Sequence, residues 1–256
     1  MDLSIVIPVR DERANVAPLV AEIRAALDAF LSYEILYVDD GSRDGTAEEI
    51  RRLLHEGAPL RLLRHASSCG QSAAIRTGVK RARAAWIATL DGDGQNDPAD
   101  IPLLWRLACG SPPHPPLLLT GEREKRRDTW TKRQASKIAN SVRRRLLGDG
   151  TRDTGCGLKL FPRALFLDLP YFDHMHRFLP ALVLRAGGVV RSVPVNHRPR
   201  GEGISKYGTF DRLWIGIIDL FGVMWLQRRA SFPVLLEEET RGKAALSCRS
   251  TIALEP

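Results

Sequence analysis

Stretches of strand length alternate with stretches of helix length through the first third of this chain. The strand-like runs are continuous and apolar, whereas the segments between them repeat apolar residues at helical spacing. The strand-like runs lie at 3–9, 33–38, 60–64 and 84–90, and the helix-like segments at 14–31, 45–54 and 72–84. Strands that read as unbroken apolar runs are typical of parallel sheets covered on both faces. We therefore predict an α/β fold with a mostly parallel sheet flanked by helices.

Two acidic clusters follow strand-like runs directly. Residues 39–46 read DDGSRDGT, and residues 91–98 read DGDGQNDP. Both should emerge at the carboxyl edge of the sheet, which is where open α/β sheets bind ligands. Asp39 and Asp40 are suited to accept hydrogen bonds from a base and a ribose. The alternative for this cluster is structural, with Ser42 or Asp44 capping the following helix.

The second cluster has the composition of a divalent-cation site. Asp91 and Asp93 are separated by one residue on a glycine-rich turn. Their oxygens suit Mg²⁺ or Mn²⁺ shared with substrate phosphates. An EF-hand is excluded, because its sixth and twelfth positions are here Asn96 and Pro102. The P-loop and dinucleotide fingerprints are also missing, which leaves a turn without a ligand as the alternative.

The chain carries a net charge of +8 and an isoelectric point near 9.7, which favours an anionic partner. Much of this charge lies in residues 122–145, which hold ten Lys and Arg against three Asp and Glu. Nucleic acid is a poor candidate, because Trp130 is the only aromatic residue in that segment and no nucleic-acid module accompanies it.

Other features bear on location. Four scattered cysteines without CxxC spacing (Cys69, Cys109, Cys156 and Cys248) predict reduced thiols in an intracellular protein. The amino terminus is unlike a signal peptide, because charge returns at Arg10. No stretch reaches the roughly 18 apolar residues of a membrane span.

The pattern changes beyond residue 110. A Pro-rich loop at 110–116 precedes a strand at 117–120, and we further expect a strand within 156–161, a helix near 174–186 and a strand at 189–197. Residues 209–229 mix aromatic and aliphatic side chains with Asp219 and end in two arginines. We predict an amphipathic helix at a membrane interface there, with a core helix as the alternative. The tail, 230–256, lacks periodicity and is predicted to be disordered.

Six segments resemble, in order, the motifs of family 2 glycosyltransferases, and more narrowly those of polyprenyl- or dolichyl-phosphate sugar synthases. These segments are 8–15, 37–46, 70–78, 89–98, 153–161 and 200–208, within a resemblance that covers about 3–229. The resemblance implies a GT-A fold with a nucleotide-sugar half (1–120) and an acceptor half (121–208). It also implies transfer of a sugar from a GDP- or UDP-linked donor to a polyprenyl phosphate, with inversion, at the cytoplasmic face of a membrane. Many relatives continue into transmembrane segments, so we expect a peripheral protein or one with a membrane-anchoring partner.

The resemblance also assigns roles to residues of this chain. Contacts to the nucleotide sugar are implied for Pro8, Arg10, Glu12, Asp39, Asp40, Gln71, Asp91 and Gly92. Mg²⁺ or Mn²⁺ would be held by Asp91, Asp93 and Gln95. The acceptor phosphate would be held by Arg123, Arg127, Lys132, Arg133 and Ser136. Catalytic roles fall to Asp93, Asp153, Arg200 and Lys206, with Asp153 either an orienting carboxylate or a base. Arg10 and Asp11 depart from the family pattern, which leaves the contacts to the base open.

The acceptor can be argued from chemistry as well. A phosphate monoester, with a second pKa of about 6, is mostly a dianion at neutral pH and needs cations rather than a strong base. A sugar hydroxyl would need a base, and Asp153 is the one candidate in the motif at 151–155. Transfer to a soluble sugar or polysaccharide is therefore the second hypothesis. An inactive homologue that serves as a membrane-bound binding subunit is the third.

Overall fold

The fold is that of a computed structural model, which describes residues 1–123, 143–198 and 209–231, with only the backbone described in 209–214. The strands are β1 (Leu3–Val9), β2 (Tyr33–Asp39), β3 (Leu60–Arg64), β4 (Trp86–Thr89), β5 (Leu117–Arg123), β6 (Lys159–Pro162) and β7 (Val189–Val195). The helices are α1 (Arg13–Leu27), α2 (Thr46–His55), α3 (Gln71–Arg81), α4 (Ile101–Cys109), α5 (Arg163–Asp168), α6 (Leu179–Arg185) and α7 (Thr209–Arg228). Residues 143–147 are also helical, and 3₁₀ turns lie at Pro98–Asp100 and Met175–Arg177.

The described strands form one mixed sheet in the order β3-β2-β1-β4-β6-β5-β7. Neighbours from β3 to β4 are parallel, and β5 and β7 are parallel to each other. Only β6 runs against its neighbours, β4 and β5. The predicted α/β class with a mostly parallel sheet is confirmed, and the antiparallel insertion of β6 is a feature that the sequence pattern did not indicate.

Apolar residues cover both faces of the sheet, as the unbroken strand runs predicted. Leu3, Ile5 and Ile7 of β1 point to the layer that contains α1, α2 and α4, whereas Val6 points to the opposite layer. The second layer is built from α3, α5, α6 and α7. The alternation within one strand follows from the two-residue repeat of β structure, so each face buries its own core.

Several predicted boundaries differ from the structure. The predicted helix at 174–186 is divided, because His174 has a left-handed backbone (φ +64°) and a 3₁₀ turn precedes α6. Residues 156–158 do not belong to β6, since they form the loop that leads into it. The helix predicted for 14–31 ends at Leu27, and α5 was missed because six residues give no periodic signal.

Candidate active site

The direction of each strand brings the functional segments to one edge of the sheet. β1, β2, β4, β5 and β7 run in one sense, so their carboxyl ends meet there. β6 runs in the opposite sense, so the loop that precedes it arrives at the same edge. An isolated bridge between Asn96 and His197 joins the second acidic cluster to the chain beyond β7. Both predicted clusters and the 153–157 loop therefore share one edge.

Asp40 is held by a dense hydrogen-bond network. One carboxylate oxygen accepts from the Cys69 N–H and lies 2.8 Å from His65 Nδ1, and the other accepts from Ser68 Oγ and the Gly70 N–H. Burial opposes ionisation, but these bonds outweigh it and keep the pKa of Asp40 below its usual value. Asp40, His65 and Cys69 offer donor atoms within 4.8 Å of one another. Because both oxygens of Asp40 are already occupied, this trio is a poor metal site.

Asp39 is fully buried, and its two oxygens differ. Oδ1 accepts the Ser42 N–H at 2.8 Å, which tightens the turn after β2. Oδ2 lies 3.1 Å from Arg64 Nε but has no hydrogen-bond donor among the described residues. The Arg64 guanidinium balances the charge of this oxygen, and because the Arg64 side chain is 46% exposed, a ligand that displaces it would reach Oδ2 rather than Oδ1.

Half-buried Asp91 and buried Asp93 place two carboxylates side by side and form what we call the acidic corner of this edge. Burial, and then the charge of Asp93, raises the pKa of Asp91 to about 6, although Lys159 and Arg123 act in the opposite direction. Gln71 Nε2 donates to Asp91 Oδ1 at 2.9 Å, and the Gln95 N–H donates to Asp93 Oδ1 at 3.1 Å. A cation between these carboxylates would relieve their repulsion.

The absence of a side chain at Gly157 and Gly92 allows neighbouring segments to pack closely around the acidic corner. A Cβ on Gly157 would lie 2.2 Å from Asp91 Oδ2 and 2.6 Å from Asn96 Oδ1. Asn96 in turn accepts the Asp91 N–H at 3.1 Å. A Cβ on Gly92 would lie 2.5 Å from Val9 Cγ1. Gly92 and Gly157 are therefore required by close approach.

Asp153 is paired with Arg123. The guanidinium donates through Nε and Nη2 to the two carboxylate oxygens, at 2.5 and 2.7 Å, and both side chains are largely buried. This bidentate contact joins the end of β5 to the loop before β6. A carboxylate engaged in this way is better placed to orient Arg123 than to remove a proton.

A cavity of about 440 Å³ opens beside Asp91. It lies between the ends of β1 and β4, the start of α3, the 154–157 loop and the 3₁₀ turn before α6. Pro8, Gln71, Asp91 and Arg123, which the sequence indicated, are among its lining residues. Its size is within the usual range for ligand pockets, about 300–1,000 Å³.

Comparisons with known proteins agree with this arrangement. The family model for glycosyl transferase family 2 matches residues 4–169. The chain is 36% identical over 241 residues to a dodecaprenyl-phosphate galacturonate synthase of Rhizobium johnstonii, covering 91% of this chain and 69% of that one. The chain belongs to glycosyltransferase family 2.

A second relative supports the narrower resemblance. An undecaprenyl-phosphate 4-deoxy-4-formamido-L-arabinose transferase of Aeromonas hydrophila is 33% identical over 208 residues, covering 80% of this chain and 63% of that one. The chain thus spans about two thirds of the length of these relatives.

Solved structures show the same fold at low identity. Mannosyl-3-phosphoglycerate synthase of Rubrobacter xylanophilus has a TM-score of 0.69 at 16% identity, covering 95% of this chain and 79% of that one. Glucosyl-3-phosphoglycerate synthase of Mycobacterium tuberculosis, in complex with Mn²⁺, UDP and glucosyl-3-phosphoglycerate, has a TM-score of 0.64 at 15% identity and covers 88% and 79% of the two chains.

Two cavity residues of this glycosyltransferase were missed by the sequence reasoning. Lys159, 4% exposed, donates from Nζ to the carbonyl oxygens of Thr154 and Cys156. Burial lowers its pKa, which Cys156 and Asp91 oppose. His176 lies on the other wall, where its Nδ1 is 2.7 Å from Ser72 Oγ. A lone Lys and a lone His carry no spacing signal, and only the basic, His-rich run at 174–177 could have drawn attention.

The remaining predicted residues lie apart from this cavity or outside the described chain. Arg10 is exposed and donates to Ser68 Oγ at 3.0 Å. Glu12 lines a separate cleft with Asp44 and Glu49, and it accepts from Asn15 Nδ2 at 2.6 Å. The positions outside the described residues are Arg127, Lys132, Arg133, Ser136, Arg200 and Lys206.

Helix α7 presents apolar side chains to solvent. Ile218, Phe221 and Trp225 are 57%, 63% and 59% exposed, whereas Val223 is fully buried against the core. The helix end is fastened by Arg185, whose Nε donates to the Leu226 carbonyl oxygen at 2.8 Å. Within the described chain, no helix combines the length and the apolar character needed to cross a membrane.

Proposed function

We propose that this glycosyltransferase moves a sugar from a nucleoside diphosphate to a polyprenyl phosphate, with inversion at the anomeric carbon. The observation that carries the proposal is the 36% identity to a dodecaprenyl-phosphate synthase across 91% of the chain. The second relative is also named for transfer to a polyprenyl phosphate. The donor base, UDP or GDP, is left open, although a fold neighbour was solved with UDP.

A divalent cation, Mg²⁺ or Mn²⁺, fits the acidic corner. Two neighbouring carboxylates, one of which has a raised pKa from burial and from the charge of the other, form in an oxygen-rich turn the kind of donor set that hard cations prefer. Asp91, Asp93 and Gln95 would hold the ion. When bound, it would neutralise the charge of the departing nucleoside diphosphate. Gln71 and Gly157 would keep the Asp91 carboxylate in position.

The nucleoside would lie over the turn after β2. Asp39 Oδ2 lacks a donor, and a base N–H would supply one. Arg64, which now covers this oxygen, has a side chain that is 46% exposed, so the base could displace it into solvent and replace its contact with Asp39. Asp40 would hold the 65–70 loop that forms the wall of this site. Pro8, Arg10, Glu12 and Gly92 complete the proposed contacts to the nucleotide sugar.

The acceptor phosphate would bind on the Arg123 side of the cavity. The Arg123–Asp153 pair fixes a guanidinium at the mouth of the acceptor half, and a dianionic phosphate needs cations more than a base. We therefore assign Asp153 the orienting role. The further cations proposed for the phosphates are Arg127, Lys132, Arg133, Arg200 and Lys206, together with Ser136.

The lipid acceptor requires a membrane surface, and α7 offers the contact. Its exposed Ile218, Phe221 and Trp225 would enter the interface, with Arg228 and Arg229 at the headgroups. The protein would then sit peripherally on the cytoplasmic face, where nucleotide sugars are made. A membrane-anchoring partner subunit would serve the same purpose if the helix alone binds weakly.

Sugar transfer itself tests the proposal. Purified protein would be incubated with Mn²⁺, labelled UDP- and GDP-sugars and a polyprenyl phosphate, and the lipid would then be extracted. We expect label in the lipid phase that depends on metal and is lost in Asp93→Ala. Label on a soluble acceptor would favour the second hypothesis, and binding without turnover would favour an inactive homologue.

A further inference from the structure

The cavity beside Asp91 is where the sugar of a bound donor would have to lie. In a nucleotide sugar the anomeric carbon is bonded directly to the diphosphate. If Asp91 and Asp93 hold the cation that binds this diphosphate, the sugar ring occupies the adjoining space. His176, in the 3₁₀ turn Met175–Arg177, is one of the residues that line that space.

The hydrogen bonds of Ser72 determine how His176 faces the cavity. Ser72 Oγ accepts the His176 backbone N–H at 3.2 Å, and it also lies 2.7 Å from His176 Nδ1. Ser72 is 3% exposed, so its hydroxyl hydrogen needs a partner within the protein. Donation from Oγ to Nδ1 satisfies every group. The proton of the neutral ring then lies on Nε2.

Nε2 is the ring nitrogen left to the cavity. Among the described residues none bonds to it, whereas Nδ1 is fixed to the first turn of α3. Burial, followed by the charge of Arg177, lowers the pKa of His176 well below 6.5, so the ring is neutral at physiological pH. A neutral N–H donor distinguishes ligands by the position of an acceptor oxygen and not by their charge.

We propose that His176 determines donor specificity, by donating a hydrogen bond from Nε2 to a hydroxyl or carbonyl oxygen of the donor sugar. The proposal rests on the function proposed above. Ser72 is the positioning residue, because it fixes the ring orientation and the tautomer. Lys159 is the less suitable candidate for this role, since its ammonium group is committed to two loop carbonyl groups.

Asparagine and glutamine provide the test, because each can replace one of the two ring nitrogens of His176. An asparagine amide reaches about as far as Nδ1, so His176→Asn can keep the bond to Ser72 while it removes the cavity donor. A glutamine amide reaches about as far as Nε2, so His176→Gln can restore the donor. His174→Asn is the matched control, because it makes the same change two residues away and asparagine tolerates the left-handed backbone there.

Calorimetric titration with Mn²⁺ would compare UDP and GDP with their sugar conjugates. We expect His176→Asn to bind the nucleotide sugar roughly threefold to tenfold more weakly, as for the loss of one neutral hydrogen bond, and to bind the nucleoside diphosphate as wild type does. His176→Gln and His174→Asn should bind both ligands like wild type. The wild-type preference over an analogue that lacks one sugar hydroxyl should shrink in His176→Asn by the same factor.

Equal affinity of His176→Asn and wild type for the nucleotide sugar would overturn the inference and leave the proposed function intact. Equal weakening of the nucleotide sugar and the free nucleoside diphosphate would overturn it too, because the damage would then be general. If wild type binds no nucleotide sugar, the proposed function fails and the inference fails with it. If His176→Asn does not fold, Ser72→Ala replaces it, with a smaller loss expected in the same direction.

Discussion

At the scale of single residues, the site depends on glycines that leave space as much as on the side chains that would bind ligands. Gly157 is the clearest case, because its missing Cβ leaves room for the Asp91 carboxylate. We expect Gly157→Ala to displace that carboxylate and to lower metal-dependent transfer by about 100-fold, since misplacement by about 1 Å has that cost. Transfer assays across a Mn²⁺ titration would measure it. Gly216→Ala, at an open position of α7, is the control, and equal activity of the two variants would contradict the close-approach argument.

The raised pKa of Asp91 predicts a pH-dependent stability. The pKa of Asp91 in the folded protein, about 6, exceeds the ordinary aspartate value of 3.8, so the native state binds this proton more tightly than the unfolded chain does. Stability from this group is therefore present below about pH 4 and is lost as the pH rises through about 6. Asp91→Asn removes the charge, and we expect it to be about 1–2 kcal/mol more stable than wild type at about pH 8 without metal.

Urea unfolding in the presence of a chelator would measure this difference. The expected gain is smaller than the free energy equivalent to the whole pKa shift, because Asp91 lines an open cavity where water screens its charge. The gain should disappear near pH 4, and Mg²⁺ should stabilise wild type but not the variant. A gain that stays constant with pH would mean that the carboxyl is not the cause.

At the scale of elements, the Arg123–Asp153 pair joins β5 to the loop before β6. Both side chains are at least 87% buried, at 13% and 7% exposed, so removal of one partner leaves a buried charge unpaired. We expect Asp153→Asn to lower the free energy of unfolding by about 2–4 kcal/mol, and the double variant Arg123→Leu, Asp153→Leu to recover most of it. Chemical denaturation of the three proteins would test this coupling. A double variant that is less stable than Asp153→Asn would show that the two groups do not compensate each other.

Helix α7 should contribute to membrane binding through its exposed face. Phe221→Ser removes a side chain that is 63% exposed, so its effect on folding should be small. We expect about tenfold weaker partition to lipid vesicles, since burial of such a side chain is worth about 1.5–3 kcal/mol when complete. Co-sedimentation with vesicles would measure it. Leu103→Ser, which alters an exposed leucine of α4, is the control, and a similar loss there would remove the special role of α7.

At the scale of the whole molecule, the net charge of +8 should act together with this helix. Lysines and arginines near an anionic surface contribute about 1 kcal/mol each, and salt screens them. We expect binding to anionic vesicles to fall by about tenfold between roughly 0.05 and 0.5 M salt, and binding to neutral vesicles to change little. Insensitivity to salt with anionic lipid would indicate that apolar contact alone holds the protein.

Much of the fold could be predicted from apolar runs, because burial on both faces leaves a continuous mark on each strand. The direction of β6 could not be predicted, because a short apolar strand has the same residue pattern whether it runs parallel or antiparallel to its neighbours. Asp91 and Asp93 could be predicted as a cation site, because two carboxylates separated by one residue are recognisable in the sequence. His176 depends on Ser72, which is 104 residues away, and only the folded chain brings such a pair together.

The Arg123–Asp153 contact has one more consequence, for how such a protein can change over evolutionary time. The two residues are separated by 30 positions and meet at the base of the segment between them. The cost of closing a loop rises only slowly with its length. Changes in the length of this segment should therefore be tolerated where they leave Leu147, which packs in the core beside the sheet, in place. Grafts of the segment 124–152 from relatives should therefore be joined at Arg123 and Asp153.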